Sequence, residues 1–304
     1  MDDDSYTINS LQDAITFFLD NAKHFPQKEA KFCLVYRGHS SEQYLLKPSI
    51  FREERLENEA VLFQELKRFS PFEFPSSNSD IENLIKMQHY GLPTRLLDFS
   101  LNPLVALYFA CQTSKDEKYK SDNGEIIALY SGINQIDSKE VERYAKLITY
   151  QGATEKAFQQ KMNIKEPLSG DPSENNGWPV NQIVMNKYFP HFHCFIPAIH
   201  NNERISRQNG VFMLFGHYYK TKTPFEKKPF ELQKNIIKLL SPKLKYHFLI
   251  PSEKKEEILF ELDTIGINHA FLFPELEHQA FYLDKKYLRK AETKTSKRKL
   301  RVLH

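Results

Sequence analysis

The sequence predicts an α+β fold. Short runs rich in Val, Ile, Phe and Tyr, of strand length, are interspersed with segments whose apolar residues recur every three or four positions, the period of a helix. Most segments end on a capping residue, a Gly or a Pro, and strands and helices are mixed throughout. With 40% apolar and 27% charged residues in 304 positions, the composition is that of a soluble globular chain able to bury a large core.

In chain order, Ser10 caps a helix running from Leu11 to Phe18, with Asp13 three residues on as its partner. Lys31 to Tyr36 is an apolar, aromatic strand ended by Arg37-Gly38, which puts Arg37 at a strand end. From Glu53 to Phe69 the residues Leu56, Ala60, Phe63, Leu66 and Phe69 form one apolar helical stripe. Pro71 to Ser79 is a loop, and Ser79 or Asp80 caps a helix through Ile81, Leu84, Ile85 and Met87. Gly91 stops that helix, Pro93 follows two residues later, and a short strand then ends in polar groups. Asn102 caps the next helix with Pro103 in its first turn, and Leu104, Leu107, Tyr108 and Cys111 give it an apolar face. Further strands are predicted over Glu125 to Tyr130, His193 to Ala198, Gly210 to Phe215, Lys245 to Ile250 and Ala270 to Phe273, with a helix from Ser252 to Leu262. Residues 131–188 are polar, helix-prone and broken by Gly170, Pro172, Gly177 and Pro179, and read as a helical insertion.

Net charge is only +3, yet residues 285–304 form a basic tail in which Glu292 is the lone acid between Lys285 and Arg301. Such a run is either a solvated end or a segment that holds phosphates through counterion release. No apolar stretch approaches the roughly 20 residues that span a bilayer, and the start, Met1-Asp2-Asp3-Asp4, is acidic, so a cytoplasmic protein without membrane contact is expected. Cys33, Cys111 and Cys194 lie far apart in apolar surroundings and read as small buried hydrophobes. His191 and His193 share one face of a strand and Cys194 the other, which argues against a metal site there, and no Walker or Rossmann glycine spacing occurs.

Three stretches together carry a resemblance: Tyr36-Arg37-Gly38 with Leu46 to Arg52; Gln88-His-Tyr-Gly-Leu-Pro-Thr-Arg-Leu-Leu-Asp98; and Asn102-Pro103-Leu-Val-Ala-Leu-Tyr-Phe-Ala110. They resemble the FRG-domain proteins, named for an aromatic-Arg-Gly motif. Arg204 with Gln208-x-Gly210-x-Phe212, and Leu272 to Glu277, fit the same pattern. The resemblance implies a single FRG domain over residues 1–284, and Phe99 stands where the family would have tryptophan. Many members look like parts of bacterial toxin or phage-defence cassettes, which implies an antitoxin or other defence protein as partner.

The order of these motifs is also similar to that of the ADP-ribosyltransferase superfamily, whose members hold NAD in a cleft of a mixed, split β-sheet. That similarity implies NAD as co-substrate, no metal, and an acceptor that is RNA, DNA or protein. Arg37 would grip a pyrophosphate with its guanidinium fork while Gly38 lets the backbone approach it. Ser100 would orient a ribose or the arginine. His89 and Tyr90 would stack on a ring of the ligand, Thr94, Arg95 and Asp98 would fix the cleft, and Arg204 and Gln208 would complete it. A glutamate is needed beside the nicotinamide ribose, where the charge of a breaking glycosidic bond grows; Glu203, Glu277 and Glu275 are the candidates. A buried Arg95–Asp98 ion pair and an Arg37 that merely closes the sheet edge are the structural alternatives. Functionally, a nucleic-acid binder or processor without NAD chemistry, or a non-catalytic sensor of a ligand or phage component, competes with the enzyme reading.

Overall fold

A computed structural model describes residues 5–23, 32–52, 55–132, 139–149, 193–197, 203–215 and 245–301. Strand β1 (Ser5–Thr7) leads to helix α1 (Leu11–Lys23), capped as its sequence predicts, since the Asp13 amide donates to Ser10 Oγ at 3.1 Å. There follow β2 (Phe32–His39), α2 (Glu59–Phe69), α3 (Asp80–His89), β3 (Leu96–Ser100), α4 (Pro103–Ala110), β4 (Gly124–Gly132) and α5 (Lys139–Ile148). The later elements are β5 (His193–Pro197), α6 (Glu203–Arg207), β6 (Gly210–Phe215), β7 (Lys245–Ile250), α7 (Lys255–Thr264), α8 (His269–Leu272) and α9 (Leu276–Arg301). Among the described residues the strands make one seven-stranded sheet in the order β1-β7-β4-β2-β3-β6-β5, antiparallel except where β1 lies parallel to β7. The α+β class is therefore as the sequence predicts.

Two apolar layers sandwich the sheet. One joins Tyr36, Ile126 and Phe248 to α1, α4 and α7; the other joins Val35, Leu97, Phe99 and Ile127 to the segment holding Leu46, Ile50, Phe51 and Leu56. Strand alternation explains the division, because neighbours such as Val35 and Tyr36 face opposite ways. Helix α4 sits very close to the strands beneath it. A Cβ on Gly38 would lie 1.9 Å from the Ala106 carbonyl oxygen, and one on Gly124 would lie 2.3 Å from that of Ala110. Gly38 thus seats a helix, and its backbone also lines the cavity described below.

The sheet is nearly divided at its centre. β2 pairs with β4 along its whole length, from Phe32–Gly132 to His39–Glu125, but meets β3 only at Tyr36–Ser100. Arg37 is consequently inside a strand, at the point where pairing with β3 stops, and not at the strand's end as the Arg-Gly step suggests.

Other expectations need correction. Leu56 precedes α2 in a 3-10 turn (Arg55–Asn58), and Phe69 is 71% exposed, while Glu59 takes the buried face because Arg95 waits there to pair with it. Ala270 to Phe273 is not a strand: Asn268 Oδ1 accepts from the Phe271 amide at 2.9 Å and caps the short helix α8 instead. Of the predicted insertion, β4 reaches Gly132 and α5, whose Val141, Ala145 and Ile148 are buried, packs on α3; residues 133–138 and 150–188 lie outside the described residues. The basic run to Arg301 falls on helix α9.

Candidate active site

Where β2 and β3 part, a cavity of about 260 Å³ opens on the α4 side of the sheet. Its walls bring together residues far apart in sequence: Arg37, His89, Asp98, Ser100, Arg204 and Gln208 all line it, with Tyr36, Phe109 and Phe212 as apolar walls. Asp98 and Ser100 share the face of Tyr36, because Ser100 pairs with Tyr36 and lies two residues on. Arg37, on the opposite face by alternation, reaches the cavity through the split. Its Nη1 donates to the main-chain oxygen of Asp98, the acceptor that the next rung of a continuous β2–β3 ladder would have used. Its Nε donates to His39 Nε2 at 3.0 Å. Burial pulls the Arg37 pKa down to about 10, opposed by Asp98 and assisted by Arg52, so the group remains a cation at neutral pH.

The long motif between α3 and β3 is a device for holding Asp98. Ser79 and Glu82 form a reciprocal capping box at the start of α3. At its end Gly91, with φ of +88°, supports amide bonds from Gly91 to the Gln88 carbonyl at 3.0 Å and from Leu92 to the Met87 carbonyl at 3.0 Å. That tight stop turns the chain back so that Gln88 lies beside β3. Buried Thr94 donates its hydroxyl to Gln88 Oε1, and Gln88 Nε2 donates to Asp98 Oδ2 at 3.2 Å and to the Leu96 carbonyl at 3.3 Å. Gln88, a residue to which the motif alone assigns no role, is the link between the turn and the carboxylate.

Several predicted site residues also make structural contacts. Arg95 is 1% exposed and grips Glu59, which is 3% exposed, through Nε at 2.7 Å to both carboxylate oxygens and Nη2 at 2.6 Å. It lies outside the cavity wall, and its partner is Glu59 instead of Asp98. Thr94 acts through Gln88, as above. Ser100 Oγ donates to the Gln208 carbonyl at 2.6 Å and accepts from the Asn102 amide at 2.9 Å, so its hydroxyl locks α4 and the loop before β6 onto β3. Gln208 Nε2 in turn donates to the Leu272 carbonyl at 3.0 Å.

Beyond the cavity mouth lies a wider groove of about 790 Å³ that shares Gln88, His89 and Arg204 with the inner cavity and is lined also by Tyr90 and by all three candidate glutamates. Glu203 forms an ion pair with Arg207 on the exposed side of α6, and Glu277 is exposed at the start of α9. Glu275 comes nearest the mouth: its Oε1 is 3.7 Å from His89 Nε2 and 3.9 Å from Arg204 Nη1, while its Oε2 is shielded from solvent and has no hydrogen-bond partner among the described residues. Arg204 also lies over the Phe273 ring at 4.5 Å. Burial first, and Arg204 second, push the His89 pKa below its usual value. Among the described residues the inner cavity is therefore lined by two guanidinium groups, an imidazole whose pKa is pushed down, and one carboxylate, that of Asp98.

Residues 33–119 match the family model described as FRG domain. The chain carries an FRG domain. The FRG segment contributes β2, α3, β3 and α4, hence Arg37, His89, Asp98 and Ser100, while Arg204 and Gln208 reach the same cavity from beyond the matched residues. Phe99, at the position where the family would have tryptophan, is buried edge-on against Phe195 at 5.1 Å between centroids, in the apolar layer of Val35 and Leu97. Comparison with curated proteins and comparison with solved structures each find no match.

Among the described residues no group of His, Cys, Asp and Glu is arranged to hold a metal ion, and no helix is long and apolar enough to cross a membrane. Burial pushes the Cys111 thiol up to about 12, and Cys33 is raised for the same reason.

Proposed function

We propose that the FRG cavity binds NAD and that the protein is an ADP-ribosyltransferase or related glycohydrolase. The observation that carries this reading is the convergence of Arg37, His89, Asp98 and Arg204 on one cavity at the split of the sheet. The donor set fits the ligand. Two guanidinium groups suit a pyrophosphate, apolar Tyr36, Phe109 and Phe212 suit a ring, and the adjoining groove leaves room for the rest of a dinucleotide or for an acceptor.

In this reading Asp98, aimed by Gln88, takes the role first sought among the glutamates: it stabilises the positive charge that grows on the ribose as the glycosidic bond breaks. Nicotinamide leaves with the bonding electron pair, the acceptor oxygen or nitrogen forms the new bond to the ribose carbon, and its proton passes to the neutral ring of His89. Glu275, at the mouth, contacts the incoming acceptor.

The test uses purified full-length chain with NAD, alone and with cell lysate, read as nicotinamide release and as transfer of label from NAD. Turnover that Asp98→Asn lowers about 100-fold or more, the scale of one lost transition-state contact, supports the reading. Absence of both activities with lysate present overturns it.

A second reading takes a nucleic acid as the macromolecule at the groove. It is favoured by α9, which contributes Glu277 and His278 to the groove wall and continues as helix to Arg301 through the basic run. Binding of RNA or DNA that weakens with salt, and loses that salt dependence when residues 285–304 are removed, is its expected signature.

A further inference from the structure

Buried polar groups must be paired, and a row of them leads away from the cavity on the opposite face of the sheet. Arg37 Nε donates to His39 Nε2 at 3.0 Å; His39 Nδ1 faces Glu125 Oε2 at 3.4 Å; and His247 Nδ1 faces Glu125 Oε1 at 3.0 Å. His39 is 4% exposed and Glu125 is 2% exposed, so this row is enclosed. Cross-strand register brings them together: His39 is directly opposite Glu125, and Ile127, two residues further along β4, is opposite His247. An expensive arrangement of this kind, a carboxylate enclosed between two imidazoles, sits directly behind the arginine of the FRG motif.

The donor chemistry runs in one direction. A guanidinium has only donors, so His39 Nε2 must present a lone pair to Arg37. The ring proton then belongs on Nδ1, where the Glu125 carboxylate accepts it. The second Glu125 oxygen accepts from His247. We infer that His39 and Glu125 are positioning residues for Arg37: Glu125 fixes the tautomer of His39, and His39 in turn fixes the guanidinium across the split, at the Asp98 carbonyl and the cavity. Neither residue touches the cavity; both act through Arg37. The inference concerns this chain's own hydrogen bonds, and its link to ligand binding rests on the proposed NAD site.

Two measurements on the full chain test it. Nitrogen-15 spectra of the histidines at neutral pH, with His39 assigned by the signal lost in His39→Gln, report the tautomer directly. The expected result is a proton on Nδ1 and none on Nε2; a ring protonated at Nε2, singly or doubly, overturns the inference whether or not NAD is a substrate.

The second measurement is the affinity for ADP-ribose in a double-mutant cycle. Glu125→Gln, which keeps the volume but cannot accept from both imidazoles, is expected to weaken binding about tenfold in the wild-type background and to change nothing when Arg37 is already Ala. Equal losses in both backgrounds would mean a structural role only, and would overturn the inference while leaving the NAD reading intact. If ADP-ribose does not bind to the wild type, the NAD reading fails and the tautomer decides the inference by itself; the same measurement decides it if Glu125→Gln does not fold.

Discussion

At the scale of single residues, Gly38 and Arg37 of the motif that names the family both line the cavity, and Gly38 has a second task. Gly38 is needed because α4 lies on it: a Cβ there meets the Ala106 carbonyl oxygen at 1.9 Å, and backbone cannot swing aside as a side chain can. Gly38→Ala is therefore expected to cost about 3 kcal/mol, the upper range for overpacking, as read from urea unfolding; a loss under about 0.5 kcal/mol, the scale of a plain surface change, would mean that α4 is seated differently. The Arg-Gly pair is legible in the sequence, but the helix seated on Gly38 is not, since close backbone approach to a ligand and to α4 both favour glycine. Asp98 and Arg95 show a similar limit. Alternation from Leu96 to Ser100 was enough to put Asp98 and Ser100 on one face, with Leu97 and Phe99 on the other. Applied one step earlier it also separates Arg95 from Asp98, so that error lay within reach of the pattern. Glu59 as the partner of Arg95 did not, because the pairing spans 36 positions and depends on how α2 packs.

At the scale of elements, the local signals were read well where they are local. The caps at Ser10, Ser79 and Asn102 and the stop at Gly91 each concern a few neighbouring residues, and the helices begin and end by them. What failed was decided by tertiary contact: the shift of α2 to a start at Glu59, the conversion of Ala270 to Phe273 into part of a capped turn of helix, and β1, whose three residues earn a strand only by lying against β7. The buried Glu59–Arg95 pair ties α2 to the start of β3 and can be tested as a unit. Arg95→Met alone is expected to cost about 3–5 kcal/mol because it takes the guanidinium away from a buried carboxylate, whereas Glu59→Leu with Arg95→Met recovers most of the loss. Denaturant unfolding of the two single variants and the double variant measures the coupling; strictly additive losses would contradict it.

At the scale of the whole molecule, the sheet assembles the site from distant segments, and the boundary of the FRG match does not coincide with a structural unit. β2 draws its full-length partner from β4 and β3 draws its own from β6, both outside residues 33–119. A fragment limited to 33–119 would expose strand edges on both sides and lose Arg204 and Gln208 from the cavity. It is expected to lack the dispersed amide spectrum of a folded protein, and a well-dispersed spectrum would show that the later strands are additions to an independent domain. The central claim concerns the cavity that only the whole sheet completes, and the affinity of the full chain for NAD tests it most directly. Saturable binding is expected, weakened about tenfold or more by Arg37→Ala and by Arg204→Ala, since each removes a charged donor. No saturable binding, or an affinity unchanged in both variants, would contradict it.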